Sequence, residues 1–486
     1  MKKYFLLAFL SCQFVLAQQV KFFRTYGHGI YDSGEGVWQA NDVGYVVAGI
    51  TTQSGSNGTD VMMYKTDSMG VLEWYKPIGL NNCIEGARSL TCGESKTAYI
   101  LAGYQNKYDT SGYNFYVVKT DLNGDTLWTR TYGGSDWDMA YSVDTLQDST
   151  YVIAGETFSY GQGNLDMYII RIDQHGDTLW TRTFGGTEDD YASYVFTDKF
   201  NRIIVVGTTS SFGAGGSDVY MVCLDAAGNT IWTKAYGGQS DEYGYSGDMY
   251  IDNGGHMWYA FSYTQLDSSS MLQESRFLRA DSSACTPISD NGWFQSQPEI
   301  LDHPHMRKYA KGRFYVTGDI RYSENGYTDI YLHRTNYSIG FSSTQLIVPV
   351  PLGSEYPHDL RVCLDKGLIV TGATTSYGPG PTSSFILKTD TMLVSPWTPV
   401  VAVEDYEQIN FKIYPNPVTA HTLYIDAGFP IKQVRLYDMS GRVVQAIKGE
   451  NFVTQAVTLD DLPDGMYIAE VVTEKGSGRK KILVSQ

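Results

Sequence analysis

The sequence predicts an all-β chain, and three observations support this. Aromatic residues make up 14% of the chain, with 38 tyrosines, and they sit beside β-branched residues in short runs. Those runs are separated by turns that draw on 50 glycines, together with Ser and Asn. None of the repeated units described next shows a sustained 3.6-residue apolar period, whereas many stretches alternate every second residue.

The chain also repeats itself. GDTLWTRTYGG ends at Gly134, GDTLWTRTFGG at Gly186 and GNTIWTKAYGG at Gly238. Trp74, Trp128, Trp180 and Trp232 mark successive copies. A glycine closing an apolar run recurs at Gly49, Gly103, Gly155, Gly207, Gly318 and Gly372, with Ala260 filling the gap. An aspartate ends the next run at Asp67, Asp121, Asp173, Asp225, Asp281 and Asp390, with Asn336 in the sixth copy. All three registers count seven units. Each unit reads as four strands, for instance MAYSVDTL, TYVIAGET, DMYIIRID and DTLWTRTF in the third. A four-stranded sheet cannot bury both faces alone, and seven stacked about an axis can. A period near 50 with four strands per unit therefore predicts a seven-bladed β-propeller.

Ring closure needs the two ends to meet. Lys21 to Gly27, KFFRTYG, looks like a stray outer strand, and SPWTPV near the end of the last unit is a rival for the same place. We expect the N-terminal copy to complete the last blade. Residues 266–312 depart from the repeat, and a long irregular insertion is expected there.

The motif Asp121, Gly124, Trp128 has the form D-x-x-G-x-x-x-W. It resembles the tryptophan-docking repeat of quinoprotein-type propellers and, with altered spacing, the Asp-box of sialidase propellers. Physically it is scaffold: Asp accepts turn amides, Gly supplies positive φ, and Trp wedges between blades.

After Trp397 the repeat stops. A linker over 400–410 leads to a segment, 411–486, whose alternating runs predict a small Ig-like β-sandwich. It carries FKIYPNPV, VRLYDMSGRVV, LDDLPDGMYIAEV and a terminal KKILV. Together these resemble the type A sorting domain of the type IX secretion system. The matching positions are Tyr414, Pro415, Asn416 and Pro417, then Gly441, Arg442 and Gly465. The resemblance implies recognition by the outer-membrane translocon, cleavage by a sortase-like peptidase, and release or attachment at the cell surface. Residues 1–17 fit a signal peptide: Lys2 and Lys3, an apolar run from Tyr4 to Leu10, and small residues at Val15 and Ala17. Cys12 offers a competing lipoprotein reading. The propeller is thus expected to span 18–399. No other stretch is long and apolar enough for a membrane helix.

The net charge of −17 disfavours nucleic acid and anionic lipid as partners. Without Cys12, five cysteines remain and no CxxC pair is present, so a structural zinc site is not indicated. Cys83 and Cys92 are close enough in sequence to bridge, or all five are buried small residues.

Two sets of residues are candidates for ligand contact. Asp32, Asp138, Asp190 and Glu242 sit at one offset in the junctions between units, with Glu85 and Asp359 one residue later. Carboxylates gathered there either bind a cation such as Ca²⁺ or cap backbone amides between blades. Calcium is the only cofactor these residues suggest. The second set follows the marker glycines: Tyr108, Tyr160, Phe212 and Tyr377, with Tyr263 and Tyr322 close in register. These aromatics either stack a sugar or protein ligand or pack on their own loops. There is no G-x-S-x-G, H-E-x-x-H, phosphate loop or dinucleotide fingerprint.

The expected function is therefore an exported cell-surface or secreted protein that binds a glycan, polymer or protein through one face. The alternative is a carbohydrate-active hydrolase or lyase. An enzyme site normally breaks repeat symmetry, and the clearest units are near-copies. The degenerate units carry Asp302, His303, His305 and Arg307 as the candidates for such a break.

Overall fold

The computed structural model describes residues 21–485, except 53–57, 80–82, 94, 108–111, 253, 268–271, 284–286, 293–298, 311–312, 323–326, 337–343, 349–352, 392, 394–410, 419–420, 438–442, 450–451, 460–461, 464 and 474–476. Two compact units result, 1–401 and 402–486. Tyr108, Gly441, Arg442, Cys12, Cys285, the signal-peptide segment, the linker and the SPWTPV segment lie outside the described residues.

The first unit holds seven four-stranded antiparallel sheets among the described residues. Their inner strands are Tyr31–Gln39, Cys83–Cys92, Asp138–Thr145, Asp190–Thr197, Asp241–Ile251, Glu299–Ala310 and Glu355–Val362. We number the blades one to seven in that order. Second and third strands are largely apolar on both faces, as in IIVVGTT of blade four, whereas inner strands such as Asp138–Thr145 mix polar and apolar residues. Outer strands such as Thr178–Phe184 are largely exposed and carry arginine or lysine, which blunts a free sheet edge.

Each pair of neighbouring blades shares its own apolar cluster. Blades one and two meet through Val46, Met63, Leu90 and Leu101; blades two and three through Ile100, Val117 and Ile153. Further clusters join three to four, four to five, five to six and six to seven. The seventh interface joins blade seven to blade one through Phe22, Ile369, Ile386, Val47 and Tyr64. The ring is closed.

The strand that closes it is N-terminal. Phe22–Tyr26 pairs with Ser383–Lys388, Phe22 opposite Lys388, as the outer strand of blade seven. Docking at the seam resembles that of blade two on blade three. Asp173 Oδ1 accepts the amides of His175 and Asp177 at 2.8 and 2.9 Å. Gly176 then turns with φ of +84°, and a Cβ there would lie 3.3 Å from the ring of Trp128 in the preceding blade. The Trp128 indole N–H donates to Gln174 O at 3.0 Å. At the seam, Phe22 stands in for the tryptophan, with its ring where a Cβ of Gly70 would fall. The Tyr26 hydroxyl donates to Gly70 O at 2.7 Å, as Tyr132 does to Gly176 O at 2.6 Å.

Two expectations need correction. The described parts of 266–312 are long strands, such as Leu272–Asp281 and Glu299–Ala310, and not an irregular insertion. Cys83 and Cys92 form no disulfide, because they open and close one extended strand, roughly 30 Å apart at about 3.3 Å per residue. Cys223 and Cys363 are buried and likewise form no disulfide.

The second unit is a sandwich. One sheet contains Lys412–Tyr414, Thr422–Asp426 and Thr454–Thr458; the other contains Val443–Lys448, Ile431–Tyr437, Gly465–Thr473 and Ser477–Val484. Both contribute to one core that includes Leu423, Ile425, Val434, Ala469 and Ile482. Among the described residues no helix is long and apolar enough to cross a membrane.

Candidate functional site: an axial ring of bulged residues

Every inner strand bulges at the same register of its second strand, opposite the marker glycine in blades one to four and seven; in blade five that place belongs to Tyr263, and not to Ala260, which pairs with Asp248. The breaks fall between Gly34 and Gly36, Ala87 and Ser89, Ala140 and Ser142, Ala192 and Tyr194, Gly244 and Ser246, and Pro357 and Asp359. Blade six has a wider break between Asp302 and His305. A bulge inserts one unpaired residue and re-aims its side chain. The residues so placed are Glu35, Arg88, Tyr141, Ser193, Tyr245, His303 with Pro304, and His358.

Bulged residues touch between blades seven and one, one and two, and five and six. Arg88 Nη1 lies 3.1 Å from Glu35 Oε2, and His358 Nδ1 lies 3.3 Å from Glu35 Oε1. The Ser33 hydroxyl donates to Glu35 at 2.7 Å. The Tyr245 and His303 rings pack edge to face with centroids 5.5 Å apart. Second-strand residues brace the ring from behind. The Arg88 guanidinium lies 5.5 Å over the Tyr104 ring. Tyr141 donates to Glu156 at 2.8 Å, and His303 Nδ1 lies 3.1 Å from Asp319 Oδ1.

The electrostatics follow from this packing. Burial alone would raise Glu35, but the charges of His358 and Arg88 outweigh it and hold the carboxyl well below the usual range. Burial would lower His358, and Glu35 reverses the direction. Glu156 moves the other way, raised by burial despite the Tyr141 hydrogen bond and the charge of Arg88.

Further along the inner strands lies a second polar layer. Arg307 of blade six pairs with Asp359 of blade seven at 3.0 Å, and its guanidinium lies 4.6 Å over Tyr194 of blade four. Arg361 reaches from blade seven to Val37 O and Leu90 O, both at 3.4 Å, across the face of Trp38. Burial pushes His305 down to about 3, so it is neutral at physiological pH.

The acidic residues singled out from sequence are spent mainly on their own junctions. The Gly134 amide donates to Asp138 at 2.7 Å, and Ser159 and Thr157 add hydroxyl donors. Asp190 accepts from the Gly186 amide at 2.8 Å and Ser211 at 2.6 Å. Asp32 accepts the amides of His28 and Gly29, and Glu242 accepts from Gly238 and Gln265. Gln105 donates to Glu85. Strand register assigns the blade-seven position to Glu355, opposite Thr374, whereas Asp359 belongs to the inner polar layer. Leu301 takes the place in blade six, opposite Ile320. Among the described residues no group of three or more His, Cys, Asp or Glu side chains is placed to hold a metal ion.

The loop aromatics stay dispersed. Tyr160 packs on Tyr168 and donates to Gly133 O; Phe212 packs on Tyr220. Both remain nearly half exposed. Tyr377 packs edge-on against Phe23. Tyr263 is buried in the core between blades four and five. In the second unit, Asn416 donates to Lys481 O at 3.0 Å and accepts from the Leu483 amide at 2.9 Å, tying Tyr414–Pro417 to the last strand. Tyr414 stacks on Tyr424, and Gly465 opens the strand Gly465–Thr473.

Comparison with known proteins bears on the tail. Residues 412–485 match the secretion system C-terminal sorting domain family. This tail directs type IX secretion, and the protein is exported to the cell surface or the medium. Among curated proteins, the regulatory protein FlaEY of Caulobacter vibrioides is 24% identical over 194 residues, covering 32% of this chain and 20% of its own length. The chain thus spans about a fifth of that relative. Among solved structures, a Dyadobacter fermentans protein of unknown function aligns with 11% identity and TM-score 0.42, over 76% of this chain and 98% of that one. An α-L-arabinanase from Penicillium chrysogenum, complexed with arabinobiose, aligns with 10% identity and TM-score 0.42, over 77% and 98%. The β-propeller domain of the Trilobed protease from Pyrococcus furiosus aligns with 11% identity and TM-score 0.40, over 79% and 98%.

Proposed function

We propose that this exported propeller binds an extracellular ligand, a glycan, polymer or protein, at the axial ring of bulged residues. One observation supports this most directly. The first four blades are near-copies, yet their bulges hold Glu35, Arg88, Tyr141 and Ser193, four different polar side chains. Scaffold positions repeat because each blade has the same packing problem; a position that varies among near-identical blades serves something that is not seven-fold. The tail supplies contact with the secretion machinery. Residues 1–17 serve as the signal peptide, 18–399 form the delivered cargo, 400–410 the linker, and a sortase-like peptidase removes 411–486.

The test is an array of glycans and extracellular proteins probed with the full chain. Arg88→Ala and His358→Ala lose the bound ligand, while Leu179→Ala on an exposed outer strand keeps it. Full binding by both ring variants refutes the site.

A second reading, a hydrolase or lyase, rests on Glu35 and Glu156. Their environments push the two carboxyls in opposite directions, the arrangement that separates a proton donor from a base. Release of new reducing ends from a polysaccharide, abolished by Glu156→Gln, would support it.

A further inference from the structure

An aromatic strip runs from the outer surface to the axial ring at a single blade junction. Trp137, 46% exposed, packs edge to face on Tyr113 with centroids 5.0 Å apart. Tyr113 meets Tyr104 at 5.6 Å, Tyr104 lies under the Arg88 guanidinium at 5.5 Å, and Arg88 pairs with Glu35. Phe158, 45% exposed, donates its amide to Trp137 O at 2.8 Å and widens the outer end.

This strip is not part of the repeat. The amide of each junction acid donates to the carbonyl before the third strand: Asp138 to Tyr113, Asp190 to Leu165, Glu242 to Ser217. Those bonds align the copies residue by residue. Where blades two and three place Trp137 and Tyr113, the next junctions place Asp189 and Leu165, then Asp241 and Ser217. Tyr104 is likewise replaced by Glu156 and Thr208, which pair with equivalent residues, Met139 and Tyr191. Three aromatics thus occur together at one junction and are absent together from the following two. Packing between near-identical blades does not require this.

We propose that the strip seats a saccharide chain, with one sugar ring on Trp137 and the inner end of the chain at Arg88, Glu35 and His358. The proposal rests on the axial ring being the binding site and names its ligand class. Aromatic faces suit the C–H faces of sugar rings. Hydroxyls both donate and accept, and the inner end supplies both functions: Arg88 donates, the Glu35 and Glu156 carboxyls accept, and the Tyr141 hydroxyl does either. With Glu35 between Arg88 and His358 no strong net charge builds up, so the site lacks the field that would select an oppositely charged protein.

The experiment is calorimetric titration of the full chain with neutral and uronate-containing oligosaccharides. At least one binds, and Trp137→Ala weakens it about tenfold, the loss of one central aromatic contact. Trp137→Phe keeps most of the affinity, and Leu179→Ala all of it. Trp137 is exposed, so melting curves of these variants overlay the parent. Unchanged affinity in Trp137→Ala, with binding still lost in Arg88→Ala, overturns the strip and leaves the ring site standing. Failure of every oligosaccharide to bind the parent overturns the saccharide assignment and leaves the ring to a protein ligand.

Discussion

Replacing Phe22 by alanine tests how the ring is held shut. Phe22 is 5% exposed, packs its ring 5.9 Å from Tyr45, and belongs to the cluster joining blades seven and one. Burying a phenyl side chain removes about 150 Å² from water. At about 25 cal/mol per Å² that is ~4 kcal/mol, within the range of about 3–5 kcal/mol for Phe→Ala in cores. The cavity cannot collapse easily, because Gly70 presents only backbone on that side. Urea unfolding of the full chain, followed by tryptophan fluorescence, reads the loss as a fall in the midpoint of the propeller transition at unchanged slope. Phe200→Ala is the control: that ring is 63% exposed, and its removal shifts stability by no more than about 0.5 kcal/mol. If Phe22→Ala costs no more than Phe200→Ala, the strand Phe22–Tyr26 does not close the ring.

Other outcomes follow from the polar interior. Arg307→Met strands Asp359 in a buried pair and costs about 3–5 kcal/mol, part of which an added Asp359→Leu restores; the double-mutant cycle in urea measures the coupling. Burial pushes Glu355 up to about 7, so it binds its proton more tightly folded than unfolded. Its contribution is present below about pH 4.5 and is lost as pH rises through about 7, on the order of 3 kcal/mol in all. Glu355→Gln flattens that part of the stability–pH curve. Asn416→Ala removes both side-chain bonds to the last strand of the tail and costs about 1–3 kcal/mol. Immunoblots of medium and periplasm then show less delivered protein.

The architecture was legible because it is repeated. Asp173, Gly176 and Trp128 each recur with the blade, and their roles follow from turn chemistry alone. The seam was legible too, since KFFRTYG carries the outer-strand pattern with Phe22 where other copies have tryptophan. The acidic junction residues were found for the same reason, and of their two readings the capping of backbone amides matches the bonds they make. Every blade must satisfy the same amides, so Asp138 and Asp190 repeat. Apart from His303, the axial ring was missed because its residues vary: a search for what recurs passes over Glu35, Arg88, Tyr141 and Ser193. The usable signal was their variation beside a fixed small residue, Gly34, Ala87, Ala140 and Ala192. Asp359 was misassigned because sequence offset counts residues across the preceding junction, whereas strand pairing sets the true register and points to Glu355.

Hydrogen exchange read by mass spectrometry, on the full chain with and without saturating oligosaccharide, tests the axial site most directly. Bound ligand slows exchange together in Tyr31–Gln39, Cys83–Cys92, Asp138–Thr145 and Glu355–Val362, four inner strands far apart in sequence. Protection confined to outer strands such as Thr178–Phe184 and Thr230–Tyr236 would contradict the account.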